Sequence, residues 1–136
     1  MHSRARFLVR TGSERNAAVR RLAQATDNVA SPRDVGGLLA AIVRGRAAPR
    51  TSCRTMLAIM RDQLDRRLAC GLPPWADIAS KMGTIEGVVN DAGIVSPPGK
   101  DPFIAVVLGH DLTPRQADEA PMAIARIAKA AWRAWA

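Results

Sequence analysis

Tyrosine is absent from this 136-residue sequence, and aromatic residues make up only 4% of it. Single-stranded nucleic acid is held by stacking bases on exposed rings as well as by charge. The net charge of +8 therefore lacks its usual companion, and twelve acidic residues are interspersed among the twenty basic ones. That pattern describes a solvated Arg-rich surface and gives no specific nucleic-acid contact, although the arginines of residues 1–67 keep a basic nucleic-acid-binding protein as an outlying reading. No apolar run is long enough to span a bilayer. Arg4, Arg6 and Arg10 interrupt the apolar residues of the start, where a secretory signal would be continuous, so the product as written is expected in the cytosol. Cysteine and histidine are also scarce. His2 and His110 accompany no Cys or Glu cluster, and no metal or cofactor is expected. Cys53 and Cys70 are expected to be reduced packing residues.

What is present sharpens after a basic, poorly defined segment, residues 1–28, in which Asn16 to Ala25 has a weak helical pattern. From residue 29 to 136 one domain is expected. Ser31 caps, Pro32 suits a first helical turn and Asp34 completes a Ser-x-x-acid box. Val35, Leu38, Leu39, Ile42 and Val43 then share one face, which predicts a helix over 32–44. Thr51 or Ser52 is expected to cap a second helix, with Cys53, Met56, Leu57, Met60 and Leu64 on its core face. Gly71-Leu72-Pro73-Pro74 ends helical structure. Strands are predicted over 76–84, 87–95 and 103–109, with Ser96 to Pro102 as the last turn and short connections favouring an antiparallel meander. In a closing helix, Pro121 costs about 3 kcal/mol at an interior position, so the regular part is expected to start only near Ala120. The fold class is α+β, with helices packed on a three-stranded antiparallel sheet.

Lys81-Met82-Gly83-Thr84 on a predicted strand, then Gly87 to Val95, a Pro-Pro-Gly turn and the apolar strand Phe103 to Leu108, resemble the Lys-Thr-Gly region of class A β-lactamases. Ser31-Pro32-Arg33-Asp34 opening an apolar helix, Gly71-Leu72-Pro73-Pro74 before the strand and a closing helix with Trp132 add to the resemblance, which covers about residues 28 to 135. It implies part of a β-lactamase or transpeptidase-like fold whose intact members are usually secreted or periplasmic. The implied reaction is acyl transfer from a cyclic amide to a serine, followed by hydrolysis. In that likeness Lys81 matches the lysine that attracts the substrate carboxylate, Thr84 the position whose backbone N–H steadies the oxyanion, and Gly83 a point of close approach.

Two departures shape the functional expectation. Met82 stands where the family has Thr or Ser, and a thioether cannot donate the carboxylate hydrogen bond, a loss of about 1.5–3 kcal/mol. The second is larger: none of the six serines has Lys three residues later. Thr26-Asp27-Asn28 imitates a Ser-Asp-Asn loop, and Glu86 with Asn90 the water-positioning glutamate, but both lie in the wrong segments. No catalytic residue is assigned, and the chain alone is expected to be inactive. The family sheet has five strands with the last in the middle, which implies an unpaired Phe103 to Leu108 edge and self-association or a complementing N-terminal part. A non-catalytic module binding β-lactams or peptides is the alternative.

Overall fold

The computed structural model describes residues 29–135. Helices α1 (Pro32–Val43) and α2 (Arg50–Arg61) precede a short 3₁₀ turn (Leu68–Gly71), strands β1 (Asp77–Ile85), β2 (Val88–Ser96) and β3 (Phe103–Gly109), and helix α3 (Pro114–Trp135). The sheet is an antiparallel meander in the order β1-β2-β3. It is the expected α+β arrangement, with strand ends within one residue of expectation. The weak helical pattern at 16–25 and Thr26-Asp27-Asn28 lie outside the described residues.

Helix α1 starts as its sequence dictates. Ser31 Oγ accepts from the Asp34 N–H at 3.2 Å, and Asp34 accepts from the Ser31 N–H at 2.8 Å. The Ser31 hydroxyl, donating to Asp34 Oδ2 at 2.6 Å, and the Ser31 N–H together hold the Asp34 carboxyl below the ordinary range. Gly45, at φ 64°, ends the helix in the left-handed region that glycine adopts without a Cβ clash.

Helix α2 differs from expectation at both ends. Neither Thr51 nor Ser52 caps it: Pro49 occupies the cap without a side-chain bond, and the helix opens at Arg50. It ends at Arg61, so Leu64 falls beyond the core face and is fully exposed. Arg61 instead forks onto Asp77 at the start of β1, with Nε to Oδ1 and Nη2 to Oδ2 both at 2.9 Å. That pair ties the helix layer to the strand and raises the Arg61 pKa.

Helix α3 also corrects the sequence reading, because it begins at Pro114 and passes through Pro121 without interruption. Thr113 and Gln116 bond reciprocally in a capping box, the Thr113 N–H reaching Gln116 Oε1 at 2.9 Å. Arg115 bonds Glu119 one turn on. Ile124, Ala125 and Ala128 are buried against the sheet and the 3₁₀ turn. Tertiary packing on this scale outweighs one forfeited backbone bond. Ile127, on the same helix, is 48% exposed.

The sheet is covered on both sides. On one face Ala92 and Ile94 meet Leu39, Ile42 and Cys53 of α1 and α2. On the other Ile78, Val89, Val95 and Ala105 meet Leu68 and the α3 residues Ile124 and Ala128. Trp75 packs edge-on to Trp132 at 5.4 Å, pinning the Pro-Pro segment to α3. Cys53 is buried as expected, but Cys70 is exposed at the 3₁₀ turn and is not a packing residue; both thiols are free. Among the described residues no helix is long and apolar enough to cross a membrane, and no three potential metal ligands cluster.

Candidate functional site

Strand β1 pairs only with β2 among the described residues, so the Lys81 to Thr84 stretch lies on an open sheet edge. Side chains alternate along it. Lys81 and Gly83 therefore share the α1/α2 side, opposite Ala92 and Asn90, whereas Met82 and Thr84 share the α3 side, opposite Asp91 and Val89. Lys81 is exposed, and its ammonium donates to the Met82 carbonyl. A Cβ at Gly83 would meet Asn90 only at 3.9 Å, an ordinary contact, so internal packing does not demand glycine there.

Thr84 has a partner that sequence reasoning missed. Arg67, from the turn before Leu68, donates Nη2 to Thr84 Oγ1 at 2.7 Å and Nη1 to the Asn90 carbonyl at 3.0 Å. Its side chain is only 10% exposed, and Asp65 lies 3.6 Å from Nη2. The guanidinium is thus held by two strands at once and lines a cavity of about 280 Å³ with Thr84, Val89, Leu112, Ala117 and Pro121. No periodic pattern marks Arg67, because its contacts cross 17 and 23 residues of sequence. A larger open depression at Gly99, Lys100, Asp101 and Trp135 contains none of these residues.

Beneath Arg67 sits Asp91, fully buried. Its Oδ2 accepts the Leu68 N–H at 2.9 Å, while Oδ1 and the nearby Ser80 Oγ have no hydrogen-bond partner among the described residues. Burial pushes the Asp91 carboxyl up, against the opposing pull of the Leu68, Ala92 and Arg67 N–H groups and the Arg67 charge. Its sequence signal is the one charged residue in a strand covered on both faces.

The open edge of β1 thus carries an exposed ammonium on one face and an anchored guanidinium on the other, and the positive charge of the exposed ammonium suits it to attract an anion. The sequence matches the profile of the beta-lactamase enzyme family, Beta-lactamase2, over residues 3–135. The chain belongs to that family. It is similar to the β-lactamase of Sphaerobacter thermophilus DSM 20745 at 32% identity and a TM-score of 0.69, covering 77% of this chain and 40% of that one. It is also similar to a mutant of PBP-A solved as an acyl-enzyme complex with penicillin-G, at 31% identity and a TM-score of 0.64, over 76% of this chain and 40% of that one. The TLA-1 extended-spectrum β-lactamase aligns at 25% identity and a TM-score of 0.68, over 76% and 40% respectively. Comparison with curated proteins gives no match. This β-lactamase-family chain spans about two-fifths of the length of these solved structures.

Proposed function

We propose that the chain supplies the carboxylate-holding wall of a β-lactam acyl-transfer site and that these 136 residues alone do not turn the substrate over. The observation that carries this is the open edge of β1, which presents exposed Lys81 and, three residues further along, Thr84 with its 2.7 Å contact to Arg67. Exposed Lys81, on the α1/α2 side of the edge, is the cation that favours a ligand carboxylate, and Arg67, held by Thr84 and the Asn90 carbonyl on the α3 side, adds a fixed positive charge behind the strand. Gly83 leaves the edge open to close approach by the ligand, and the Thr84 N–H is the oxyanion donor in this reading. Because no serine has Lys three residues later, the attacking hydroxyl must come from other polypeptide.

Strand β3 is where other polypeptide docks. It is apolar, and among the described residues its outer edge is unpaired. Leu38, 57% exposed on the α1 helix that packs against β3, adds apolar surface. We expect the isolated chain to self-associate through it, read as a mass above that of the monomer in light scattering.

The test of the binding role is nuclear magnetic resonance of the labelled chain titrated with benzylpenicillin. Saturable shifts at Lys81, Thr84 and the Arg67 guanidinium support it. Shifts confined to residues elsewhere, or none at millimolar ligand, refute it.

A further inference from the structure

We propose that Asp91 is a positioning residue: by accepting the Leu68 N–H it fixes the turn from which Arg67 reaches Thr84, and so sets the aim of the guanidinium.

Burying a carboxylate is costly, and an orphaned oxygen makes it costlier. Asp91 is fully buried, and its Oδ1 has no partner among the described residues. An apolar residue of similar size in β2 would serve the core better, since Asp91 bonds Leu68 and lies on the same face of β2 as the core residues Val89 and Val95. The carboxylate does supply one thing an apolar residue cannot. Leu68 follows Arg67 directly, and its N–H is taken by Asp91 Oδ2 at 2.9 Å inside the core. That bond anchors the backbone one residue from the Arg67 Cα. Asn90, next to Asp91 on β2, anchors the far end of the same side chain through its carbonyl at 3.0 Å. Two consecutive β2 residues therefore hold the root and the head of Arg67, and Thr84 takes its remaining direction. Asp65 alone, 61% exposed and 3.6 Å away, is too loosely held to define that aim.

The consequence for ligand binding rests on the carboxylate-holding role proposed above. The positioning itself can be read without any β-lactam. Arginine modification by phenylglyoxal, followed by peptide mass spectrometry on the full chain well below its melting temperature, reports the accessibility of Arg67. Arg61, held by Asp77 in the other layer, is the internal control. In wild type Arg67 is expected to react slowly. Asp91→Leu leaves the Leu68 N–H without a partner, and Arg67 should react about tenfold faster while Arg61 is unchanged. Asp91→Asn retains an acceptor oxygen and should restore the slow rate. A purely structural role would instead loosen Arg61 and Arg67 together, and that result, or an unchanged Arg67 rate in Asp91→Leu, overturns the proposal. With benzylpenicillin as the second probe, Asp91→Leu should weaken binding and Asp91→Asn should retain it. If wild type binds no benzylpenicillin, the carboxylate-holding role fails while the modification rates still decide the positioning.

Discussion

Replacing Gly71 by alanine tests how closely the 3₁₀ turn beneath Arg67 is packed against α3. A Cβ at this position would lie 1.8 Å from the Ala125 carbonyl oxygen, 2.7 Å from its carbon and 3.0 Å from the Lys129 nitrogen. All three atoms are backbone, so no side chain can swing aside, and the turn must separate from the helix. Separation opens the cluster of Leu68, Ile124 and Ala128. Overpacking at ordinary core positions costs about 1–3 kcal/mol, and a collision with rigid backbone belongs at or above the top of that range. For a domain of this size, ~3 kcal/mol lowers the unfolding midpoint by roughly 10–20 °C. Gly37 is the matched control. It is exposed in the middle of α1, and a Cβ there meets nothing within 4 Å. Gly37→Ala should stabilise by about 0.5–1 kcal/mol through backbone entropy and helix propensity. Thermal unfolding followed by circular dichroism should therefore move in opposite directions for the same chemical change. A Gly71→Ala midpoint within about 2 °C of wild type would refute the close approach of turn and helix.

Other consequences follow from the same contacts. The folded-state pKa of Asp91 lies above its unfolded value because of burial, so its contribution to stability is present below the unfolded pKa and lost as pH rises through the folded one. Asp91→Asn should therefore gain on wild type as pH rises across that window in urea titrations, and a pH-independent difference would contradict the burial. Leu68→Ala, at a fully buried site, should cost about 2–5 kcal/mol in the same titrations. Met82→Thr restores a hydroxyl on the face shared with Thr84 and should tighten benzylpenicillin about ten- to hundredfold by calorimetry. Thr84→Val removes one of the two acceptors of Arg67, leaving the Asn90 carbonyl, and should weaken benzylpenicillin while costing no more than about 0.5–1.5 kcal/mol of stability.

Much of this architecture was legible because it is local. Ser31 and Asp34 announce α1 within four residues, and the two-residue rhythm of 77–96 with the Pro97-Pro98-Gly99 turn announces the meander. Pro121 misled because its cost is local whereas the support of α3 is tertiary, coming from the turn at Leu68 and the sheet. The cap of α2 misled for the opposite reason: Thr51 and Ser52 look like caps in sequence, but Pro49 already sets the backbone two residues before Thr51. Lys81, Gly83 and Thr84 were placed through family likeness, and alternation along β1 then divides them between two faces. Arg67 could not be seen this way. One arginine among many on an irregular segment acquires meaning only when the fold brings Thr84 and Asn90 to it.

The central claim is that these residues hold a substrate carboxylate but carry no acylating hydroxyl. Intact-mass spectrometry of the 136-residue chain after prolonged incubation with benzylpenicillin tests it most directly. The chain should retain its unmodified mass at every time point. A covalent penicilloyl adduct on any of its serines would contradict the account.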